Sequence, residues 1–267
     1  MKFATVSLNQ VWRDKSKNID LCKYYVKKAA EKRVDIIIFP EMTLTGFSMN
    51  TISLSEEVSN SETLENFSKL SKKYGVNIIF GACLIMDQDK LPKNTLCVAY
   101  KNGLVESVYS KIHLFSHAGE GERTLPGDKI SVRKIENINF GFSICYDLRF
   151  PEIFSLMSSE CNVVITIANW PAIRSADWIL LLRARALENG CFMIGVNRSG
   201  MDGNSLKYNG DSLVVSPDGN EMNCYYFESD MRLYNIDNHE IVDNQKTIST
   251  LKDKRYELYS NMYKQKL

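Results

Sequence analysis

The sequence predicts a single α/β domain with either one mixed sheet or two packed sheets. Apolar runs typical of buried strands recur along the 267 residues. Helix-like stretches lie between several of these runs, and hairpin-type turn sequences lie between others. Both βα units and hairpins are compatible with mixed sheets flanked by helices, so periodicity alone leaves the number of sheets open.

The predicted strands are short apolar runs bounded by polar or turn residues. In chain order they are 3–8, 35–40, 76–86, 94–100, 104–110, 138–145, 162–169, 191–197 and 212–217. The turn sequences KNG, MDGNS and SPDGN favour hairpins at 101–103, 201–205 and 216–220.

Helix-like patterns occupy the intervals between several strands, at 17–33, 62–74, 151–159 and 175–189. In the last of them, Ser175 to Asp177 are expected to cap the helix. The composition does not change along the chain and no linker interrupts it, so we predict one domain over residues 1–267. Its part from about residue 225 is expected to be an extension that serves packing or oligomerisation.

The charge and the apolar pattern indicate where the protein acts. The formal net charge is +1, so no electrostatic field draws the protein to nucleic acid or to an anionic membrane. No run approaches the roughly 18–20 apolar residues of a membrane helix. The N-terminal residues alternate like a strand and lack the apolar core of a signal peptide. We therefore expect a cytoplasmic protein without nucleic-acid or membrane partners.

The seven cysteines suggest neither disulfides nor a metal site. Their number is odd and none of them has CxxC spacing, and the three histidines do not cluster. Most of these cysteines are expected to be small buried side chains. No metal is predicted.

Three polar residues end predicted strands, and together they suggest nucleophilic chemistry. They are Glu41, Lys111 and Cys145. A cysteine attacks as the thiolate. A carboxylate can take its proton and a fixed ammonium can stabilise an oxyanion. Taken alone, each residue could also lack a functional role, with Glu41 or Lys111 on the surface and Cys145 in the core. His113, in KIHLF, is the nearest alternative base, but it is equally compatible with a packed or hydrogen-bonded role.

Three segments around these residues resemble the signature segments of the nitrilase, or carbon–nitrogen hydrolase, superfamily. They are FPEMTLTGF, YSKIHLF and CYDLRFPE. The resemblance implies an α-β-β-α sandwich of two packed mixed sheets, a homodimer or larger homo-oligomer, and a Glu41–Lys111–Cys145 triad. It also implies a second glutamate after the lysine, for which Glu120 matches best and Glu122 is the competitor. The backbone N–H of Tyr146 would then join Lys111 in an oxyanion hole.

Residues 167–212 are similar to the omega-amidases, which release ammonia from the terminal amide of short 2-oxo acids. The similarity is carried by Asn169-Trp170-Pro171, followed by Arg174 and Trp178. It implies a cysteine-dependent amidase that forms a thioester and needs no cofactor. The dipeptide after Cys145 is Tyr-Asp rather than the Trp-Glu of nitrile hydrolysers, which also favours an amidase.

A short amide of this class carries a carboxylate that a planar guanidinium can bind. Arg149 is the first candidate for this contact and Arg174 the second, although Arg149 could instead pair with Asp147 or Glu152. Trp170 and Pro171 are expected to form a pocket wall, with core filling as the alternative for Trp170. A contact between His117 and the ligand stays open.

Two further readings of the function remain open. The chain could be another amidase of the superfamily, acting on deaminated glutathione or on an N-carbamoyl amine. It could also be a binding subunit without catalysis, against which the intact Glu41, Lys111 and Cys145 argue.

Overall fold

The computed structural model describes residues 1–242 and 250–266 of the chain. Its strands are β1 (Lys2–Val6), β2 (Ile36–Ile38), β3 (Glu56–Glu57), β4 (Asn77–Ile85), β5 (Lys93–Ala99), β6 (Val105–Ser110), β7 (Val132–Ile135), β8 (Ile138–Ile144), β9 (Val163–Ala168), β10 (Phe192–Asn197), β11 (Ser199–Met201), β12 (Lys207–Asn209), β13 (Leu213–Val215), β14 (Tyr226–Glu228) and β15 (Met231–Asn235). Its helices are α1 (Lys15–Glu31), α2 (Thr51–Leu54), α3 (Glu62–Tyr74), α4 (Pro151–Met157), α5 (Ser175–Asn189), α6 (Asn238–Val242) and α7 (Tyr256–Lys264).

The first sheet has the strand order β14-β15-β1-β2-β4-β5-β6, and β3 pairs with β4. Strands β1, β2 and β4 are parallel, whereas β5 and β6 follow β4 as antiparallel hairpins. The carboxyl ends of β2 and β6 and the amino end of β5 therefore lie at the same edge of this sheet.

The second sheet has the order β13-β10-β9-β8-β7, with β8, β9 and β10 parallel. Strands β7 and β13 are its edge strands, and each pairs antiparallel with its neighbour. Strands β11 and β12 form a separate hairpin at the predicted MDGNS turn. All six residues of β9 are buried, as expected for a parallel strand covered on both faces.

Three apolar clusters define the layers of the molecule. The middle cluster contains Phe3 and Ile38 from the first sheet and Phe142 and Ile165 from the second, so the two sheets pack face to face. The other face of the first sheet packs on α1 and α3, and the other face of the second packs on α4 and α5. The α-β-β-α sandwich expected from the resemblance is confirmed, and the choice between one sheet and two is decided by these layers.

Capping residues determine where helices α1 and α3 begin or end. Helix α1 begins at Lys15, two residues before the prediction, because the Asp14 side chain accepts a hydrogen bond from the Lys17 backbone N–H at 3.0 Å. Helix α3 has its predicted bounds, with Ser61 as the N-cap and Gly75 at φ 65° as the C-cap.

Helix α5 also has its predicted bounds, but the predicted cap is wrong. Its N-cap residue is Arg174, whose side chain makes no capping hydrogen bond. The Asp177 carboxylate instead accepts a hydrogen bond from Arg149 at 2.6 Å, and the Ser175 hydroxyl accepts one from Asn209 at 3.1 Å. Tertiary partners therefore outcompete the local cap.

The part of the chain from about residue 225 contributes strands β14 and β15 and helices α6 and α7. Strands β14 and β15 belong to the first sheet, where β15 pairs with β1 and buries Met231 and Leu233. Helix α7 lies outside the sheets, and its Tyr263 hydroxyl donates to Glu152 of α4 at 3.2 Å. Within residues 1–242 and 250–266, no helix has the length and apolar character needed to cross a membrane.

Candidate active site

Three strand ends bring the predicted catalytic side chains together between the two sheets. Glu41 follows β2, Lys111 follows β6 and Cys145 follows β8. The common edge of β2 and β6 places the first two residues side by side in the first sheet. The second sheet supplies the cysteine from the opposite layer.

A buried ion cluster forms around the ammonium of Lys111. Its Nζ lies 2.8 Å from Glu120 Oε2 and 3.4 Å from Glu41 Oε1, and all three side chains have no exposed surface. Two carboxylates thus face a single ammonium. Burial alone would lower the pKa of Lys111, but Glu41 and then Glu120 outweigh it and raise this pKa above its ordinary value. The lysine therefore stays charged at working pH.

Two asparagines that the sequence interpretation did not single out for chemistry complete this cluster. Asn94 Nδ2 donates to Glu41 Oε1 at 2.7 Å and to Glu120 Oε1 at 3.2 Å. The Asn169 backbone N–H donates to Glu41 Oε2 at 2.8 Å, and its side-chain amide donates to the Glu41 carbonyl at 2.6 Å. Gln10 adds contacts to the carbonyls of this loop, including that of Glu41 at 3.0 Å. The Glu41 carboxylate is therefore held at both oxygens.

Cys145 sits at a strained turn between β8 and a short 3₁₀ helix that spans residues 145–149. Its φ is 48°, a left-handed conformation that costs a non-glycine residue about 1–3 kcal/mol. Asp147 fixes this turn, because its Oδ2 accepts from the Ile144 backbone N–H at 3.0 Å and from the Tyr109 hydroxyl at 2.7 Å. The strained turn is thus stabilised by a buried acid that also reaches the strand before Lys111.

The surroundings of Cys145 favour the thiol over the thiolate in the free protein. Burial and then the charge of Glu41 raise the pKa of the Cys145 thiol well above its ordinary value, against a smaller opposing effect of Lys111. A thiolate beside two carboxylates would leave three negative charges facing one ammonium. For this sulfur to act as a nucleophile, the thiol proton would therefore have to move to a nearby base as the new bond forms.

A pocket with a volume of about 160 Å³ opens onto the Cys145 side chain. Lys111 and Asn169 line it beside the cysteine, and aromatic side chains form much of the wall. These aromatic residues are Phe47, Phe115, Tyr146, Trp170 and Tyr208. A pocket of this size and lining fits a small organic molecule.

The predicted substrate-binding residues all line this pocket, namely Tyr146, Arg149, Trp170 and Pro171. Trp170 is 3% exposed, and its indole N–H donates to the Arg174 carbonyl at 2.8 Å. It also packs against Trp178 with ring centroids 5.5 Å apart. Trp170 thus belongs both to the core and to the pocket wall, which were the two alternatives for it.

The two guanidiniums of the pocket differ in their partners. Arg149 pairs with Asp177 at 2.6 Å, rather than with Asp147 or Glu152, and it lies 5.0 Å from the Trp170 ring centroid. Arg174 lies 5.7 Å from the Phe115 ring centroid. In the part of the chain that the structure describes, no carboxylate forms an ion pair with Arg174. The uncompensated cation of the pocket is therefore Arg174.

The remaining candidates of the sequence lie outside the ion cluster. Glu122 is exposed, whereas Glu120 is buried against Lys111. His113 Nδ1 lies 2.9 Å from Asp147 and its ring stacks on Phe150 at 3.7 Å, so it has the packed, hydrogen-bonded role considered for it. His117 is exposed and is not among the residues that line the pocket.

Comparisons with known proteins agree with this architecture. The carbon-nitrogen hydrolase family model matches residues 2–241. The "hydrolase in agr operon" of Staphylococcus aureus is 28% identical over 97% of this chain and 100% of its own length. The 2-oxoglutaramate amidase of Bacillus subtilis (strain 168) is 29% identical over 91% of this chain and 93% of its own.

Among solved structures, the chain resembles XC1258 from Xanthomonas campestris, a CN-hydrolase superfamily protein with an arsenic adduct in its active site. The TM-score is 0.87 at 26% identity, over 95% of this chain and 97% of that one. The predicted superfamily is confirmed, and the chain belongs to the carbon-nitrogen hydrolase family.

Proposed function

We propose that this protein is an omega-amidase, which hydrolyses the terminal amide of a short 2-oxo dicarboxylic acid monoamide such as 2-oxoglutaramate. The observation that carries the proposal is the position of an uncompensated guanidinium, that of Arg174, in the same small pocket as Cys145. A substrate with an amide at one end and a carboxylate at the other matches these two groups. The name of the Bacillus subtilis relative supports the same substrate class.

The proposed reaction begins with the transfer of the Cys145 proton to Glu41. Sulfur attacks the amide carbon, and the carbonyl electron pair moves to oxygen. The Lys111 ammonium and the Tyr146 backbone N–H stabilise this oxyanion. Collapse of the intermediate breaks the carbon–nitrogen bond, and Glu41 returns its proton to the leaving ammonia. A thioester with Cys145 remains.

Water completes the proposed cycle. Glu41, again a carboxylate, takes a proton from the water that attacks the thioester. The sulfur leaves as a thiolate and is reprotonated by Glu41, which releases the acid and restores the free enzyme. Glu120 keeps Lys111 in place through their 2.8 Å contact. All of these steps use groups of the protein itself, so the mechanism includes no cofactor.

Arg174 is the proposed anchor of the substrate carboxylate. The sequence interpretation ranked Arg149 first, but the Asp177 carboxylate already neutralises that guanidinium. Arg149 then serves to orient the wall, since its guanidinium faces the Trp170 ring. Tyr146, Trp170 and Pro171 are proposed to enclose the short carbon chain.

A panel of amides with ammonia detection tests this proposal. We expect the highest kcat/KM for 2-oxoglutaramate or 2-oxosuccinamate and a much lower value for pentanamide, which lacks both the carboxylate and the 2-oxo group. Preference for deaminated glutathione or for an N-carbamoyl amine would replace the proposal with one of the other amidase activities. Absence of ammonia from every amide would favour a binding role.

A further inference from the structure

We infer that Asn94 is a positioning residue that holds the general base Glu41 and the second acid Glu120 in their reactive arrangement. This inference rests on the proposed Cys–Glu–Lys chemistry, and it assigns a role to a residue that does not line the pocket. The observation is a closed ring of four buried side chains.

The ring has two donors and two acceptors. Lys111 Nζ contacts Glu41 Oε1 and Glu120 Oε2, while Asn94 Nδ2 donates to Glu41 Oε1 and Glu120 Oε1. None of the four side chains has exposed surface. Because both acceptors are carboxylate oxygens, the side chain of Asn94 must direct its NH₂ group, rather than its oxygen, toward them.

The topology explains how a strand residue reaches this place. Asn94 is the second residue of β5, and β5 runs antiparallel to both of its neighbours in the sheet. Its amino end therefore lies at the edge where β2 and β6 end. The backbone carbonyl of Asn94 also accepts a hydrogen bond from the Lys111 N–H at 2.9 Å. The same residue thus contacts the lysine through its backbone and both acids through its side chain.

The charge balance gives the amide its function. Two buried carboxylates that share one ammonium repel each other, and a neutral double donor between them offsets part of this repulsion by donating a hydrogen bond to each. The side-chain oxygen of Asn94 is buried without a hydrogen-bond partner. An aspartate at this position would have the same shape but would place a third acid against the other two. The double donor between Glu41 and Glu120 would then be lost, and the added negative charge would repel both carboxylates and the sulfur of Cys145.

The test measures the rate at which iodoacetamide alkylates Cys145 as a function of pH in the full-length protein. This readout needs no amide substrate, so it is separate from the substrate assignment above. In Asn94→Asp we expect the alkylation profile to move up by about one pH unit or more, because added negative charge disfavours the thiolate. We also expect kcat to fall about tenfold to a hundredfold with KM nearly unchanged.

Asn77→Asp is the matched control. Asn77 is also buried in the first sheet, and its side chain also donates to a carboxylate, that of Glu136 at 3.1 Å. Asn77 lies at the amino end of β4, whereas Asn94 pairs with Cys83 near the carboxyl end of that strand. This variant should leave the alkylation profile and kcat as in wild type, even where it lowers Tm. A folded Asn94→Asp protein with the wild-type alkylation profile and kcat would overturn the inference.

Asn94→Ser keeps the inference testable if Asn94→Asp does not fold. A serine hydroxyl donates a single hydrogen bond, so one carboxylate loses its neutral donor. We expect at least a tenfold loss of kcat with little change in KM. Wild-type kcat in this variant would equally contradict the role of Asn94. If the omega-amides fail as substrates while the alkylation profile shifts as expected, only the proposed function fails.

Discussion

The Lys111 ammonium lies closer to the Glu120 carboxylate, at 2.8 Å, than to Glu41, at 3.4 Å. Glu120 also accepts a hydrogen bond from the Phe115 backbone N–H at 2.7 Å, so it connects the lysine to the loop that lines the pocket. In the proposed mechanism the closer residue, Glu120, therefore holds the lysine, and Glu41 exchanges a proton with Cys145.

The first prediction concerns the two glutamates of this loop. Glu120→Gln removes the charge that holds Lys111, and we expect kcat for 2-oxoglutaramate to fall about tenfold to a hundredfold. Glu122→Gln is the matched control, because Glu122 is exposed two residues away. Its kcat should stay within about twofold of wild type, since exposed charges contribute little. Reversed effects would show that the second glutamate had been misassigned.

The second prediction separates formation of the thiolate from turnover. Apart from burial, Glu41 is the main cause of the raised pKa of Cys145. In Glu41→Gln this pKa should fall, because a negative charge beside the thiol has been removed. The iodoacetamide alkylation profile should therefore move to lower pH, while ammonia release is almost abolished for want of a base. An alkylation profile that moves to higher pH would contradict this electrostatic account.

The third prediction concerns the two arginines of the pocket. Arg174→Ala should lower the ratio of kcat/KM for 2-oxoglutaramate over pentanamide by about tenfold to a hundredfold, through loss of a charge-assisted contact. Arg174→Lys should recover only part of the ratio, because an ammonium lacks the bidentate fork. Arg149→Ala should lower kcat/KM for both amides alike, since its ion pair with Asp177 orients the wall. A collapse of the ratio in Arg149→Ala alone would return the carboxylate contact to Arg149.

The fourth prediction tests how closely the loop of Glu41 packs on β4. A Cβ added to Gly81 would lie 2.4 Å from the Met42 backbone nitrogen and 2.9 Å from Glu41 Cα. Gly81→Ala should therefore displace this loop, lowering both Tm and kcat. Gly121→Ala is the control, because its added Cβ would meet only the Leu114 side chain at 3.8 Å. Unchanged kcat in a folded Gly81→Ala protein would show that the base tolerates movement of its loop.

The sequence predicts the long elements well, because their signals are local. Helix α3 has its predicted bounds because Ser61 caps its amino end and Gly75 its carboxyl end. By contrast, no strands were predicted at β14 and β15, which are only three and five residues long. Strand β15 is stabilised by pairing with β1, and β14 by pairing with β15. Pairing between segments so far apart in the chain cannot be predicted from local periodicity.

The candidate site shows the same division between local and tertiary signals. Glu41, Lys111 and Cys145 could be found because each lies at the end of a predicted strand. Asn94 begins an apolar strand and resembles any polar residue there, so only the antiparallel pairing of β5 reveals its place. The ion pair between Arg149 and Asp177 joins two helical segments 28 residues apart, and no local pattern predicts it.

Single-turnover ammonia release from 2-oxoglutaramate by wild type and by Cys145→Ala tests the central claim most directly. We predict release of one equivalent of ammonia per wild-type active site and no release above background from a folded Cys145→Ala protein. The control is Cys224→Ala, which removes the other cysteine of intermediate exposure and should react like wild type. Release from Cys145→Ala at the wild-type rate would show that Cys145 is not the nucleophile.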